Sequence, residues 1–270
     1  MKINYINRFL ILTLLIAIFT GCKSTSRKQA DKPIVVITKA HSKGNYKKWL
    51  RAADTGIRFV NLYELSVDSA LAVLGDASGL LLTGGADIHP GWYDQAEDTV
   101  LCNGFDLKRD TLEYKAVQKA IRLKIPILGI CRGMQMLNVA SGGSLIPDIP
   151  KRAGSEVPHR EKPFEPVRHS ITINQASILY GLAETDKTMV LSNHHQAVDK
   201  TADRFRVVAR TADDLPEALE WKQPYNHPFL LGVQYHPEAM AWESPVSLPV
   251  ARQFQHEVKR FYKDNFMPIE

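Results

Sequence analysis

The sequence contains few cysteines and no apolar run long enough to span a membrane. Its 270 residues include only three cysteines, an odd number that is too small for the disulfide framework of a small secreted protein. With 44% hydrophobic and 23% charged residues, the composition excludes collagen-like, coiled-coil and wholly disordered chains. The apolar run at residues 9–19 is too short to cross a hydrocarbon layer of roughly 30 Å, so it predicts no permanent membrane span.

The sequence also lacks the patterns that indicate a metal, a cofactor or a nucleic acid. No HExxH or CxxC spacing is present, so we expect neither a metal site nor a cofactor. The net charge of +5 is only mildly basic, and no block of Lys and Arg alternates with aromatic residues. We therefore expect no nucleic-acid partner.

The first residues have the pattern of an export signal. Lys2 and Arg8 precede the apolar run, and two small residues then stand directly before Cys22. This arrangement resembles the bacterial lipobox, in which the signal is cut before the cysteine and the thiol carries the lipid. An ordinary cleaved signal with an incidental Cys22 is the alternative.

Three segments follow from this interpretation. We predict a signal peptide with a lipobox over residues 1–21, a lipidated Cys22 with a polar tether over 22–33, and one folded domain over 34–270. The expected location is the bacterial cell envelope, where the lipid anchors the chain to a membrane and the domain faces the periplasm.

Apolar strands alternate with helical patterns in the first half of the domain. Four apolar runs predict strands at residues 34–38, 58–63, 79–83 and 125–130. Helical spacing at 67–74 and 112–121 predicts helices between them. Continuous apolar strands joined by helices predict a parallel sheet that is covered on both faces.

The second half of the domain is rich in strand-like runs. These lie at residues 171–173, 189–191, 205–209, 218–221 and 229–234, and a final helix is predicted over 247–262. The fold class is therefore α/β, with a doubly wound, mostly parallel sheet flanked by helices and an antiparallel extension. In such sheets ligands bind at the carboxyl ends of the strands, so the loops after the third and fourth strands are where a site is expected.

The segment at residues 129–133 (GICRG) predicts a nucleophile at Cys131. GxCxG between a strand and a helix is the thiol counterpart of the GxSxG elbow, in which glycines relieve the crowding of a sharp turn. A helix that begins near Arg132 points its free amides at the sulfur, which favours the thiolate and a developing oxyanion. We interpret Cys131 as catalytic rather than as a buried inert thiol.

His236 is the favoured partner for this thiolate. It follows an apolar strand, and Glu238 two residues later can orient its ring. The adjacent pair His194 and His195 is the rival for the role of base. Cys102 has no obvious partner and is expected to remain a free thiol.

Three motifs in order resemble the class I glutamine amidotransferase superfamily. They are residues 82–90 (LTGGADIHP), 129–135 (GICRGMQ) and 233–238 (VQYHPE). Within this superfamily the chain looks most like the γ-glutamyl-γ-aminobutyrate hydrolase branch, which is grouped with the C26 peptidases. The resemblance covers roughly residues 33–265 and implies the flavodoxin-like amidotransferase fold.

The resemblance also implies the roles of individual residues. Cys131 would be the nucleophile, His236 the acid and base, and Glu238 the orienting acid, while the amides of Gly85 and Arg132 would form the oxyanion hole. Substrate-binding positions are implied at Gly84, Gln135, Asn193, His194 and His195.

One departure concerns Arg132, which replaces the Leu common in glutamine-using members. Two interpretations of its side chain stay open: it offers its charge to a substrate carboxylate, or it packs outside the pocket. Tyr235 replaces the Trp that often precedes His-Pro-Glu.

We expect a cysteine hydrolase that cleaves γ-glutamyl amide bonds, in γ-glutamyl-γ-aminobutyrate or γ-glutamyl peptides, through a thioester on Cys131. One alternative is the ammonia-donating glutaminase subunit of an amidotransferase; another is a non-catalytic γ-glutamyl-binding envelope lipoprotein. No residues remain for a fused synthase domain and an exported chain has no obvious ATP supply, so the hydrolase is preferred. The expected partners are a small γ-glutamyl substrate and a membrane, and a homo-oligomer stays open.

Overall fold

The computed structural model describes residues 31–40, 44–152, 154–161 and 165–267. The predicted signal peptide, the lipidation site at Cys22 and most of the tether therefore lie outside the described residues. Within these ranges, no helix combines the length and the apolar character needed to cross a membrane.

The described residues form strands and helices, which alternate along the first half of the chain. The strands are β1 (Ile34–Ile37), β2 (Arg58–Asn61), β3 (Gly79–Leu82), β4 (Ile127–Ile130), β5 (Leu145–Ile146), β6 (Val167–Ile173), β7 (Lys187–Ser192), β8 (Ala197–Val198), β9 (Phe205–Arg210), β10 (Pro216–Trp221) and β11 (Leu230–Val233). The helices are α1 (Asn45–Ala53), α2 (Val67–Gly75), α3 (Leu107–Arg122), α4 (Arg132–Val139), α5 (Ile149–Arg152), α6 (Ile178–Ala183) and α7 (Leu248–Phe266).

Nine of these strands form one sheet, in the order β2-β1-β3-β4-β11-β10-β9-β6-β7. The first five strands in this order are parallel, and from β11 onward each neighbouring pair is antiparallel. The prediction of a mostly parallel sheet with an antiparallel extension is confirmed.

Both faces of the parallel part are covered because successive side chains of a strand point to opposite faces. Val35 and Ile37 pack with residues of α1 and α7. Ile34 and Val36 pack on the other face with residues of α2, α3 and α4. Each such aliphatic side chain contributes about 1.5–3 kcal/mol by leaving water, which explains why the central strands are continuously apolar.

The register of the sheet aligns three strand ends. β4 pairs with β3 on one side, where Gly129 lies opposite Leu82, and with β11 on the other, where Ile130 lies opposite Val233. All three strands are parallel, so their following loops emerge at the same edge. These loops carry the three motifs that the sequence analysis selected.

Three helices were not predicted: α1, α5 and α6. α5 has only four residues, too few to show a helical period. α1 is mostly polar and buries only Tyr46, Trp49 and Leu50, so its apolar signal is weak. α6 is a six-residue helix, in which hydrophobic periodicity can hardly be detected.

Candidate active site

Cys131 lies at a strained elbow between β4 and α4. Its backbone has φ 52° and ψ −110°, a conformation that costs a non-glycine residue on the order of 1–3 kcal/mol. The turn brings backbones together: a Cβ on Gly133 would lie 2.3 Å from the Leu82 carbonyl oxygen, and one on Gly129 would lie 2.8 Å from the Gly133 carbonyl carbon. The predicted elbow and the need for its glycines are confirmed.

His236 and Glu238 lie beside this elbow, just after β11. The His236 Nδ1 atom is 2.9 Å from Glu238 Oε1, and the His236 backbone N–H donates to the Leu191 carbonyl at 3.0 Å. A Cβ on Gly84 would lie 2.9 Å from His236 Cε1 and 3.6 Å from Cys131 Cβ. The loops after β3, β4 and β11 therefore meet at one point, with the predicted triad residues together.

The charge state of His236 is set by its two neighbours. Burial alone would lower the pKa of this imidazole, but the Glu238 carboxylate and the Cys131 sulfur outweigh burial and raise its pKa well above the usual 6.5. This shift favours the imidazolium form of His236, whose positive charge faces the Cys131 sulfur.

The two amides predicted for the oxyanion hole are oriented by the backbone around them. The Arg132 amide is the first of α4, where an N–H group has no acceptor within its own helix. The Gly84 carbonyl accepts a hydrogen bond from Arg109 Nη2 at 3.0 Å. Because the peptide is planar and trans, the Gly85 N–H points away from Arg109.

A buried network of two arginines and two carboxylates supports both amides. Arg109 Nε donates to Glu113 Oε1 at 2.7 Å, and the Arg132 guanidinium contacts both Glu113 and Asp110. Burial lowers the pKa of Arg109 to about 10 and that of Arg132 to about 9. Arg109 also donates to the Thr83 carbonyl at 2.7 Å, so the network ties the β3 loop to the start of α4.

This arrangement decides between the two interpretations of Arg132. Its side chain is only 1% exposed and is paired with carboxylates of α3, so it packs outside the pocket and offers no charge to a substrate. Arg109, Asp110 and Glu113 were not predicted from the sequence. The only available signal was the spacing of Arg109 and Glu113 by four residues, which is also typical of solvated helical ion pairs.

Gly84 and Gln135 contribute differently to the expected substrate pocket. The Gly84 N–H donates to the Tyr46 hydroxyl at 2.9 Å and its carbonyl binds Arg109, so Gly84 shapes the pocket instead of binding substrate through these groups. The Gln135 amide nitrogen donates to the Gln196 carbonyl at 3.0 Å and to Gln234 Oε1 at 3.2 Å. Neither bond uses Gln135 Oε1.

The rival bases are paired with other acids. His195 lies between two carboxylates, with Nε2 2.8 Å from Asp87 Oδ2 and Nδ1 3.4 Å from Asp148 Oδ2. His194 Nε2 lies 3.2 Å from Glu217 Oε1. The geometry therefore favours His236 as the partner of Cys131.

The remaining substrate-binding prediction, Asn193, is half-buried. Its Oδ1 atom is buried and makes no hydrogen bond to the described part of the chain. Asn193 is thus close in sequence to the pocket histidines, but no described contact joins its side chain to Cys131 or His236.

A cleft of about 480 Å³ is bordered by His194, His195, Asp148 and Arg160. Arg160 interacts electrostatically with Cys131 as well as with the acids of this cleft, although its own pKa is lowered by burial. The sequence analysis did not select Arg160, which brings a positive charge to the cleft beside the elbow.

Cys102 lines the same cleft. Its thiol is free, and so is that of Cys131 at the elbow. Burial and then the neighbouring Asp87 and Asp98 raise the pKa of Cys102 to about 11, so this thiol stays protonated at neutral pH. Among the described residues Cys102 forms no disulfide, in agreement with the prediction.

One further group of described side chains could hold a metal ion. His159, His169, His194 and Glu217 are all buried, and their potential ligand atoms lie within 4.8 Å of one another. The expectation of no metal site rested on the absence of a short motif, and these four residues are too far apart along the chain to form one.

Comparison with known proteins identifies the family to which these features belong. The model of the peptidase C26 family matches residues 18–238. The chain belongs to the peptidase C26 family. A glutamine amidotransferase-like protein of Rickettsia prowazekii, so named provisionally, is 34% identical over 72% of this chain and 81% of its own length. The γ-glutamyl-γ-aminobutyrate hydrolase of Escherichia coli O157:H7 is 35% identical over 62% of this chain and 66% of its own.

Solved structures agree with the fold of this family. The glutaminase domain of Trypanosoma brucei CTPS, solved with bound acivicin, superposes with a TM-score of 0.59 over 85% of this chain and 94% of its own. At 16% identity, this likeness concerns the fold alone. The peptidase C26 chain therefore has the architecture of class I glutamine amidotransferase domains.

Proposed function

We propose that this peptidase C26 protein hydrolyses γ-glutamyl amide bonds through a thioester on Cys131. The observation that carries the proposal is the strained elbow of Cys131 against the His236–Glu238 pair, with Nδ1 to Oε1 at 2.9 Å. The relatives named γ-glutamyl-γ-aminobutyrate hydrolase support the substrate class.

In the first half of the reaction, the Cys131 thiolate attacks the γ-carbonyl carbon. The amides of Gly85 and Arg132 stabilise the oxyanion, and removal of one such donor typically costs about 10²–10³ in kcat. His236 donates its proton to the leaving amine as the C–N bond breaks, which leaves a γ-glutamyl thioester on Cys131. Neutral His236 then takes a proton from water, the hydroxide attacks the thioester, and glutamate leaves.

Two groups near Cys131 fit the glutamyl half of such a substrate. Arg160 provides a positive charge at the adjoining cleft, which complements an α-carboxylate. Gln135 Oε1, which the described hydrogen bonds do not use, is an acceptor that fits an α-ammonium group. Both contacts would leave the γ-amide as the group presented to the sulfur.

A second candidate is an ammonia-donating glutaminase. It is favoured by the relatives named as glutamine amidotransferase-like and by the fold shared with a glutaminase domain. The two candidates use the same chemistry at Cys131 and differ in the leaving group and in the fate of ammonia.

The test is mass spectrometry of products after glutamine, γ-glutamyl-aminobutyrate, γ-glutamyl dipeptides and poly-γ-glutamate are offered in parallel. We expect cleavage of γ-glutamyl amides other than glutamine, and none by the Cys131→Ala variant. Cleavage of glutamine alone would instead support the ammonia donor. Full turnover by Cys131→Ala would refute the thioester, and no turnover with an unreactive Cys131 thiol would support a non-catalytic binding protein.

We also propose that the chain is a lipoprotein of the cell envelope, on the sequence pattern before Cys22. The full-length chain should partition into the detergent phase of a Triton X-114 extract, and its N-terminal peptide should carry a diacylglyceryl group at Cys22. A Cys22→Ala chain should lose both properties. An unmodified Cys22 within a mature chain would contradict the anchor.

A further inference from the structure

We infer that His159, His169, His194 and Glu217 bind a divalent transition-metal ion, for which Zn²⁺ has the best-matched chemistry. Three imidazole nitrogens and one carboxylate oxygen are a donor set that zinc accepts in four-coordinate sites. The four residues lie on separate parts of the chain, and all are buried. Nothing in the proposed hydrolysis at Cys131 uses them.

The hydrogen bonds of the histidines show which ring nitrogens face the centre. His169 Nδ1 lies 3.1 Å from the Pro158 carbonyl oxygen, and His194 Nδ1 lies 2.9 Å from the Gln196 carbonyl oxygen. A carbonyl only accepts, so each Nδ1 carries a hydrogen. In a neutral ring the other nitrogen, Nε2, is then a bare lone pair, which is the form that binds metal.

His159 has the same arrangement with its ring nitrogens exchanged. Its Nε2 lies 2.9 Å from Asp213 Oδ2, which leaves Nδ1 buried with no hydrogen-bond partner within the described residues. Each of the three rings is thus held by an oxygen on its far side. Carbonyls and carboxylates in this position orient metal-binding histidines.

In neutral rings with this tautomer, both Nε2 lone pairs would face the same carboxylate. His169 Nε2 lies 3.3 Å and His194 Nε2 lies 3.2 Å from the same oxygen, Oε1 of Glu217. Glu217 Oε2 and His169 Nε2 are buried without a hydrogen-bond partner in the described chain. A nitrogen lone pair and a buried carboxylate oxygen repel each other unless a proton or a metal ion lies between them.

Distances and charges both suit a small dication. A tetrahedral ion with bonds of about 2.0–2.1 Å separates its ligand atoms by about 3.3 Å. The two nitrogen–oxygen distances, 3.3 Å and 3.2 Å, are close to this value, and the other ligand atoms, which lie within 4.8 Å of one another, would draw together around the ion. The carboxylates of Glu217 and Asp213 together balance a charge of 2+. The alternative explanation of the short distances to Glu217 is that His169 and His194 are protonated at Nε2 and no ion is bound.

The site would be structural because four protein ligands close the coordination sphere. His159 belongs to the loop that borders the cleft, His169 to β6, His194 to the segment after β7 and Glu217 to β10. The ion would therefore fasten the cleft loop to the antiparallel extension. The Gln196 carbonyl that holds His194 also accepts from Gln135 of α4, so the same ion would stiffen one wall of the pocket.

Elemental analysis of the untagged chain provides the test, and it reads metal content rather than turnover. We expect about one zinc or other divalent transition metal per chain after dialysis, in the wild type and in a Cys131→Ala variant that removes the reactive thiol as a ligand. The Co²⁺-substituted protein should show the intense visible bands of a tetrahedral site. Added Zn²⁺ should raise the Tm of the chelator-treated protein.

Matched variants locate the ion. His169→Gln and Glu217→Gln should each lose the metal, whereas His227→Gln, which changes an exposed histidine stacked on Trp221, should keep it. Asp213→Asn keeps all four ligands and should lower the affinity about 10–100-fold.

Several outcomes would overturn the proposal. One is a wild-type chain that contains no transition metal, takes none up from micromolar Zn²⁺ and has the same Tm with and without chelator. Full metal content in a folded Glu217→Gln variant would also overturn it, as would loss of the metal in Cys131→Ala with the histidines intact. Because activity is not the readout, failure of the proposed hydrolysis would leave these results interpretable.

Discussion

Substitution of Gly85 by alanine should disable the site without unfolding the protein. Gly85 has φ 155°, and a Cβ at this position would lie 2.0 Å from Arg109 Nη1 and 3.1 Å from its Cζ. Arg109 cannot move aside cheaply because its guanidinium is buried and bound to Glu113 and to the Thr83 carbonyl. The Gly85 peptide must therefore rotate, which removes its amide from the predicted oxyanion hole.

The expected magnitude combines the loss of an oxyanion donor with the strain of alanine at a positive φ. Loss of one oxyanion donor costs about 10²–10³ in kcat, whereas KM changes little because the donor acts on the transition state. Alanine at a positive φ adds a stability cost on the order of 1 kcal/mol. Gly142→Ala is the matched control, since Gly142 has φ 93° and no atom within 4 Å of its added Cβ.

The assay is steady-state hydrolysis of γ-glutamyl-p-nitroanilide, with the thermal unfolding of each variant measured in parallel. Gly85→Ala should lose kcat while remaining folded, and Gly142→Ala should lose only a little stability. A folded Gly85→Ala enzyme with kcat within about threefold of the wild type would refute the role of this amide. An equal loss in Gly142→Ala would show that backbone strain, rather than the oxyanion hole, causes the defect.

Three further predictions concern charge. Iodoacetamide at pH 7 should label Cys131 before Cys102, whose pKa of about 11 keeps it protonated; the reverse order by peptide mapping would contradict the assignment. Arg109→Lys keeps one positive charge but cannot bind Glu113 and the β3 loop at the same time. We therefore expect kcat to fall about 10–100-fold at similar KM. An unchanged kcat would show that Arg109 is not a positioning residue. Glu238→Gln removes a carboxylate that raises the pKa of His236. Because activity needs the imidazolium and is lost as the pH rises through this pKa, the alkaline limb of the kcat/KM profile should move to lower pH. An unmoved limb would show that Glu238 does not set the pKa of His236.

Much of the fold could be predicted because the central parallel strands are buried on both faces. β1, β3 and β4 are continuous apolar runs, and this pattern alone distinguishes them from amphipathic surface strands. α1 escaped prediction for the opposite reason, since it packs on the sheet with only three buried side chains.

The candidate site was predictable where local geometry demands particular residues. Gly129 and Gly133 are required by the close approach of α4 to β3 and β4. The elbow can therefore be recognised from residues that are close together in the sequence. His236 and Glu238 are two residues apart and can therefore be recognised as a pair. Arg160 carries no such local mark, because its nearness to Cys131 depends on how a distant loop folds back.

The sequence by itself determined the α/β class, the glycine-flanked elbow at Cys131 and the adjacent pair His236 and Glu238. Each of these depends on short-range spacing or on runs of buried residues. Only the tertiary structure decided that Arg132 belongs to a buried network with Asp110 and Glu113, and that three distant histidines meet around Glu217. These contacts join residues from different strands, helices and loops. The sequence around each residue does not determine which distant carboxylate lies beside it in the folded chain.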